Sequence, residues 1–176
     1  MVLDYPELIL AVITGIGLSA ACGFRIFIPL LFLNLASIYG FVHLSPGFEW
    51  AGGFFATVAF SLATCLEIAA YYIPWLDNLM DSIAAPVSVI AGTFLTASVI
   101  TDVSPSLKWI VSIIAGGGVA GILQGSTTLL RMKSSLFTGG IANGIVSTIE
   151  LALSILFAVL ALLLPVIGLL LVFILL

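Results

Sequence analysis

The sequence predicts an all-α polytopic membrane protein: a transmembrane helical bundle of about five spans with broken or re-entrant helices. Three observations predict it. Of the 176 residues, 62% are hydrophobic and only 7% are charged, against roughly 25% charged in a soluble domain, so the chain cannot build a water-facing surface. Its apolar runs are long and continuous, whereas the strands of a membrane barrel alternate apolar and polar residues over short segments. The breaks between runs hold half of the charged residues, with Pro, Gly and Ser, and their spacing suits helices of about 20 residues.

The runs cover residues 7–39, 51–74, 83–100, 107–130 and 141–176, separated by HLSPGFEW, WLDNLMDS, TDVSPS and RMKSSLFTGG. Tyr5, Tyr39, Trp50, Trp75 and Trp109 fall at run ends, where ring side chains settle at headgroup level. No base precedes the first run, so it is expected as a retained span rather than a signal peptide. That run would measure about 50 Å as one helix, against a hydrocarbon core of about 30 Å. A break is expected between Gly23 and Pro29, at Arg25, followed by a short arm that either turns back or makes a thin crossing. Pro165 and Gly168 are expected to interrupt the last run, leaving a charge-free tail that ends in lipid or on a partner. Arg131 and Lys133 flank one end of a span and Lys108 the other, so the positive-inside rule favours the Arg131 and Lys133 side as cytoplasmic by one residue.

A single membrane-embedded domain over 1–176 is expected, with an internal, inverted repeat over about 5–81 and 105–168. Gly15, Ser19 and Gly23 place a small residue at every fourth position, as do Gly117, Gly121 and Gly125, and again Ser88, Gly92 and Thr96. Small stripes let helices approach closely in lipid. After the first and second of these stripes comes a helix with a central acid. Thr57, Ser61, Thr64, Glu67 and Tyr71 share one helical face, as do Asn143, Ser147, Glu150 and Ser154, and LATCLEIA aligns with IVSTIELA. Repeats of this kind occur in transporters.

Glu67 and Glu150 carry the functional expectation. A carboxylate at the bilayer centre costs a few kcal/mol even on the lenient insertion scale, so it must face the interior and find a partner or a proton. Carrying a proton, holding a cation and pairing with a substrate amine are open to them. So is a purely structural role, locking helices together. Arg25 is the only base deep inside an apolar run. Its guanidinium can clamp one of the acids or bind an anion or lipid headgroup. Gln124, Thr127, Thr128 and Arg131 form a polar stripe, and these residues with Asn143 and Ser147 complete the expected ion or substrate site. Gly139 and Gly140 before Asn143 could hold an anion on backbone amides, or form an ordinary turn. Asp77 and Asp81, four residues apart, make a possible cation loop or a solvated edge; the metal is unknown. Cys22 and Cys65 are read as small buried residues. With no CxxC and one histidine, His43, neither a zinc nor a haem site is expected, and no cofactor is.

The blocks GLSAACGFRIFIPLL, LEIAAYYIPWLDNLMD, and GGGVAG with SSLFTGGIANGIVSTIE together resemble the domain-of-unknown-function 4126 family of small bacterial membrane proteins, over nearly the whole chain. In that family a proline often follows the asparagine of the last block, where this chain has Gly144. The resemblance implies a multi-span protein and no particular activity.

The function expected is a small transporter or permease for an ion or small polar solute, with the two acids as proton or cation sites. The alternative is a non-transport subunit or assembly factor that binds lipid, quinone or a larger membrane complex. No nucleophile and base stand together, so an enzyme is not expected. The lipid bilayer is the first partner, and no basic cluster offers a surface for nucleic acid. Small stripes and an apolar tail suggest a homo-oligomer, most simply a dimer, in the bacterial inner membrane.

Overall fold

The computed structural model describes residues 5–138 and 143–176, apart from the side chains of Pro74, Trp75, Asp77, Asn78 and Thr138. Among the described residues eight α-helices follow in order: α1 (Tyr5–Phe24), α2 (Phe27–Ile38), α3 (Phe54–Tyr71), α4 (Pro74–Val99), α5 (Pro105–Val111), α6 (Gly118–Thr138), α7 (Asn143–Leu163) and α8 (Pro165–Leu175). A 3-10 turn over Glu49–Gly52 leads into α3, and a π-helical segment over Ser112–Gly117 joins α5 to α6. Five stretches are long and apolar enough to cross a bilayer: α1, α3, most of α4, the joined α5–α6 rod and α7. The chain is a helical membrane protein.

Helix directions follow from contacts. Ser19 Oγ donates to the Gly92 carbonyl (2.8 Å) and Cys22 Sγ to that of Ser88 (3.7 Å), so α1 and α4 run antiparallel. Ser154 Oγ donates to the Ala21 carbonyl (2.9 Å), while Gly17 meets Ala161, so α7 also opposes α1. The start of α2 lies at Glu67 and its later residue Asn34 at Thr57, so α2 opposes α3. With α3 and α4 linked only through 72–73, α1 and α2 become a hairpin. Both its open ends lie on one face, with the end of α4 and Lys108. Its tip stays inside, level with Ser154, about 16 Å along α7. The over-long first run therefore turns back, and α2 is the short arm.

Packing explains the small residues. A Cβ on Gly92 would lie 2.6 Å from Ala120 Cβ and 2.8 Å from the Gly116 carbonyl, and one on Gly23 would lie 2.6 Å from Leu123 Cβ. Thus α1, α4 and the π segment with α6 approach almost backbone to backbone. Around these contacts sits the apolar core, with Leu18, Leu33, Leu95 and Phe157 buried.

Several expectations change. Most of the small-stripe residues pack inside one chain, Gly15 against Thr96, Gly23 against Leu123, Gly92 against Ala120 and Gly117 against Thr93, whereas Gly125 has open space beside it. One side of the tail packs on its own α1 and α7, burying Gly168 and Val172, after a kink at Leu164 where Pro165 starts α8, while Phe173, Ile174 and Leu176 stay exposed as the charge-free end was expected to be. The stretch 75–82 is helical rather than a loop, because Pro74 occupies the first helical turn, where its missing N–H costs nothing. Likewise α6 continues through RMKSSLF. The two small-stripe helices, α1 and α6, run the same way, whereas α3 and α7, which bear the acids, run opposite ways. Neither a direct nor an inverted repeat gives that combination.

Candidate functional site: a charge cluster at a helix break

Arg25 lies between α1 and α2. Its own amide still closes the last bond of α1, onto the Ala21 carbonyl (3.1 Å). The next amides begin a new helix and have no carbonyl four residues back within it. A helix start leaves such donors orphaned, and at membrane depth water cannot satisfy them. The Glu67 carboxylate does so from α3: Oε1 accepts from the Ile26 amide (2.7 Å) and Oε2 from that of Phe27 (3.1 Å). Glu67 thus caps α2 from another helix, with charge and helix dipole in favourable alignment.

The Arg25 side chain points towards the start of α7. Its Nη2 donates to the Ser147 carbonyl (2.9 Å) and stands 3.5 Å from Glu150 Oε2. Arg131, from α6, takes Glu150 with two nitrogens, Nε on Oε1 (3.0 Å) and Nη2 on Oε2, the fork geometry that makes Arg–carboxylate pairs strong. Its Nη1 stands 3.3 Å from Asp81 Oδ1 of α4. Between these groups lies the Tyr71 ring, with the guanidinium carbons of Arg25 and Arg131 at 3.7 and 4.0 Å from its centroid, a cation–π arrangement. Arg25 and Arg131 are also close enough to act electrostatically on Glu67. The cluster is buried: Arg25 is 1% exposed, Arg131 2%, Glu150 3% and Glu67 7%.

Arg25, Glu67, Arg131 and Glu150 therefore stand in one place, with Ser147 contributing its carbonyl and a 3.4 Å bond from its hydroxyl to the Tyr71 carbonyl. The rest of the expected site is arranged differently. Gln124 is buried near the end of α1, and its amide donates to Thr128 Oγ1 (3.4 Å). Asn143 ties the start of α7 to α6 through Ser135 Oγ (2.9 Å). Asp81 is a partner of Arg131, while the Asp77 side chain lies outside the described residues. Among those described, no three His, Cys, Asp or Glu side chains gather as metal ligands. Gly139 and Gly140 also lie outside them. Arg131 is buried and paired, so it no longer counts as a loop charge. Lys133 and Lys108 then balance across the two faces.

Two residues gained roles the sequence did not assign. Tyr71 was visible only as the last member of the Glu67 face. Asn34, fully buried in α2, donates to the carbonyls of Ala51 (2.6 Å) and Gly53 (3.2 Å) and accepts from Thr57 Oγ1 (2.8 Å). It anchors the far end of the hairpin arm. An isolated polar residue inside an apolar run was the available signal.

Two openings reach the cluster. An apolar groove of about 640 Å³ runs between α3 and α4, with Glu67, Tyr71, Ile26 and Phe27 at its inner wall. A pocket of about 300 Å³ is lined by Asp81, Arg131 and Ser135, with Met132 and Leu136. One turn from Glu67, the buried Thr64 hydroxyl has no hydrogen-bond partner among the described residues.

A family described as "Domain of unknown function (DUF4126)" matches residues 12–176, nearly the whole chain, and the chain belongs to that family. No curated protein and no solved structure matches it.

Proposed function

We propose that this member of the DUF4126 family is a small permease for an ion or small polar solute, with Glu67 and Glu150 as its proton sites. The observation that carries the reading is the occupancy of the donors at the helix break. Half-helix ends placed inside a membrane are where transporters bind charged substrates. Here carboxylates of the protein take the positions a solute anion would occupy: Glu67 on the α2 amides, Glu150 on Arg25 and Arg131. A proton delivered to either acid weakens its hold and frees donors for an arriving anion. Proton and anion together add no charge to a buried site, which is the condition low-dielectric surroundings impose. Counting Arg25 and Arg131 against Glu67, Glu150 and Asp81, the cluster has one negative charge in excess, and one proton balances it.

The test is solute-driven proton entry into proteoliposomes filled with a pH-sensitive dye, with inorganic phosphate, lactate, potassium and spermidine as trial solutes. At least one solute is expected to acidify the lumen faster than in empty vesicles, and Glu67→Gln and Glu150→Gln to abolish the difference. Wild type indistinguishable from empty vesicles with every solute, or from the doubly substituted protein, refutes the reading. The second reading, a non-transport subunit that binds a lipid-like molecule, draws on the apolar groove and predicts ligand retention without flux.

A further inference from the structure

The smaller opening, about 300 Å³, differs in kind from the groove between α3 and α4. Among the described residues, Glu67 is the one charged side chain on the groove wall, and the rest of that wall is apolar apart from Tyr71. The smaller pocket brings together a carboxylate, a guanidinium and a hydroxyl, from Asp81, Arg131 and Ser135. Its place follows from the helix ends. Asp81 lies about two turns into α4 and Arg131 about two turns before the end of α6, each roughly 10 Å from that end. Both ends stand on the face of Lys133, which is itself exposed. Ser135 lies one turn beyond Arg131 towards the same face. The pocket therefore runs from that face down to Arg131.

Arg131 belongs both to the pocket and to the buried cluster. Its Nε and Nη2 hold Glu150, whose side chain is 4% exposed, while Nη1 stands 3.3 Å from Oδ1 of Asp81, whose side chain is 13% exposed. One guanidinium thus joins the more exposed acid to the more deeply buried one. Around Asp81 the charged and titratable groups are Arg131 from α6, Tyr71 from α3, close enough to feel its charge, and Glu150 from α7 on the far side of the guanidinium. On its own helix Asp77 has a side chain outside the described residues. Among the described residues Glu150, Glu67 and Arg25 do not line the pocket, so a molecule coming from the Lys133 face meets the Asp81–Arg131 pair before it meets them.

We propose that this pocket is the aqueous entrance to the charge cluster and that Asp81 is its latch, a positioning residue that holds Arg131 across the inner end. The use of the entrance in transport rests on the permease reading; the entrance and its latch do not. With Asp81 ionised, the guanidinium is tied on both sides, to Asp81 and to Glu150. A proton taken up from the pocket removes the Asp81 charge and loosens Nη1. Arg131 then keeps its fork on Glu150 and turns a donor towards the entrance.

The experiment uses the full-length protein in proteoliposomes and a water-soluble arginine reagent, 4-hydroxyphenylglyoxal. The chain has two arginines, Arg25 and Arg131, and peptide mass spectrometry reads each separately. The face is identified by acylation of Lys133 with a membrane-impermeant reagent. Slow modification of Arg131 is expected from the Lys133 face, with Arg25 untouched. Asp81→Asn, which keeps the size and removes the charge, is expected to speed modification of Arg131 by about tenfold or more, the weight of one charge-assisted hydrogen bond in an opening equilibrium. Asp81→Glu should return the rate towards that of wild type, and Ser135→Phe, which fills the entrance, should suppress the gain when added to Asp81→Asn. Asp81→Ser repeats the test if the Asn variant does not fold. A general loosening of the bundle would expose Arg25 together with Arg131, and that result overturns the latch, as do equal rates in wild type and Asp81→Asn. Modification of Arg131 from the opposite face, or from neither face in any variant, overturns the entrance. The permease reading fails separately, on solute-driven proton entry: its loss leaves the labelling result standing, and its success with Arg131 unlabelled leaves a permease entered by another route.

Discussion

Glu67 gives the sharpest test of the architecture, because its two bonds hold a helix start that nothing within α2 caps. Hydrogen bonds to an ionised group contribute about 1.5–3 kcal/mol each, and an orphaned buried donor costs a similar amount. Glu67→Gln keeps one acceptor oxygen, so one of the two amides loses its partner and the expected cost is about 1.5–3 kcal/mol. Glu67→Ala abandons both, at roughly twice that. Domains of this length shift their melting temperature by about 2–4 °C per kcal/mol, so the Gln variant should melt on the order of 5 °C lower and the Ala variant about 10 °C lower. Leu66→Ala, facing outwards on the same helix, is the control and should move little. Thermal unfolding in one mild detergent, followed by intrinsic fluorescence, measures all three. An Ala variant as stable as wild type would refute the cap, and a Gln variant less stable than Ala would show that the carboxylate matters through something other than the amides.

Three further outcomes follow from the packing and topology. Gly92→Val should destabilise by about 1–3 kcal/mol, since a Cβ there meets Ala120 and the Gly116 carbonyl, whereas Gly125→Ala, with open space around it, should stabilise by up to about 1 kcal/mol; the same melting assay separates them, and equal effects would remove the close-approach account. In a background with Cys22→Ala and Cys65→Ala, single cysteines at Glu7, Tyr39 and Thr101 should react with a membrane-impermeant maleimide from one face and a cysteine at Lys133 from the other; Glu7 and Tyr39 on opposite faces would rule out the hairpin. Glu150→Ala should cost about 3–5 kcal/mol by leaving Arg25 and Arg131 short of a counter-charge, and Arg131→Met made in addition should recover part of it; a double variant worse than the sum of the singles would mean that Arg131 is held chiefly by Asp81.

Much of this arrangement could be read from residue order because lipid imposes strong local rules. Run lengths marked the long helices. The 33-residue first run had to break, and Arg25 between Gly23 and Pro29 was the place. Pro165 marked the second break. Burial of Glu67, Glu150 and Arg25 followed from the cost of charge in hydrocarbon. What residue order could not supply was the pairing. Either acid could have met Arg25, and the outcome depended on helix directions set by distant contacts such as Ser19 with Gly92. The apparent repeat failed for the same reason: small residues at every fourth position state that a helix is approached closely, but not by which neighbour or in which sense. The π segment left no sequence signature beyond SIIAGG, yet the extra residue it accommodates lies where Gly116 and Gly117 meet α4.

The position of the break links stability to chemistry. A run too long for the bilayer could have turned at the surface, where water would satisfy the freed backbone. Here it turns inside, which creates a demand for acceptors at Ile26 and Phe27. A backbone carbonyl from a neighbouring helix could have met that demand permanently. A carboxylate meets it reversibly, since a proton removes the negative charge that makes it a strong acceptor. The same holds for Glu150 between two arginines. Each acid is therefore both what holds the break closed and what can release it, and the two guanidinium groups over Tyr71 keep the release points within one cluster. A scaffold needs only the first property. The second is what the proposed permease would use: donors whose occupant can change, beside a groove that has Glu67 at its inner wall.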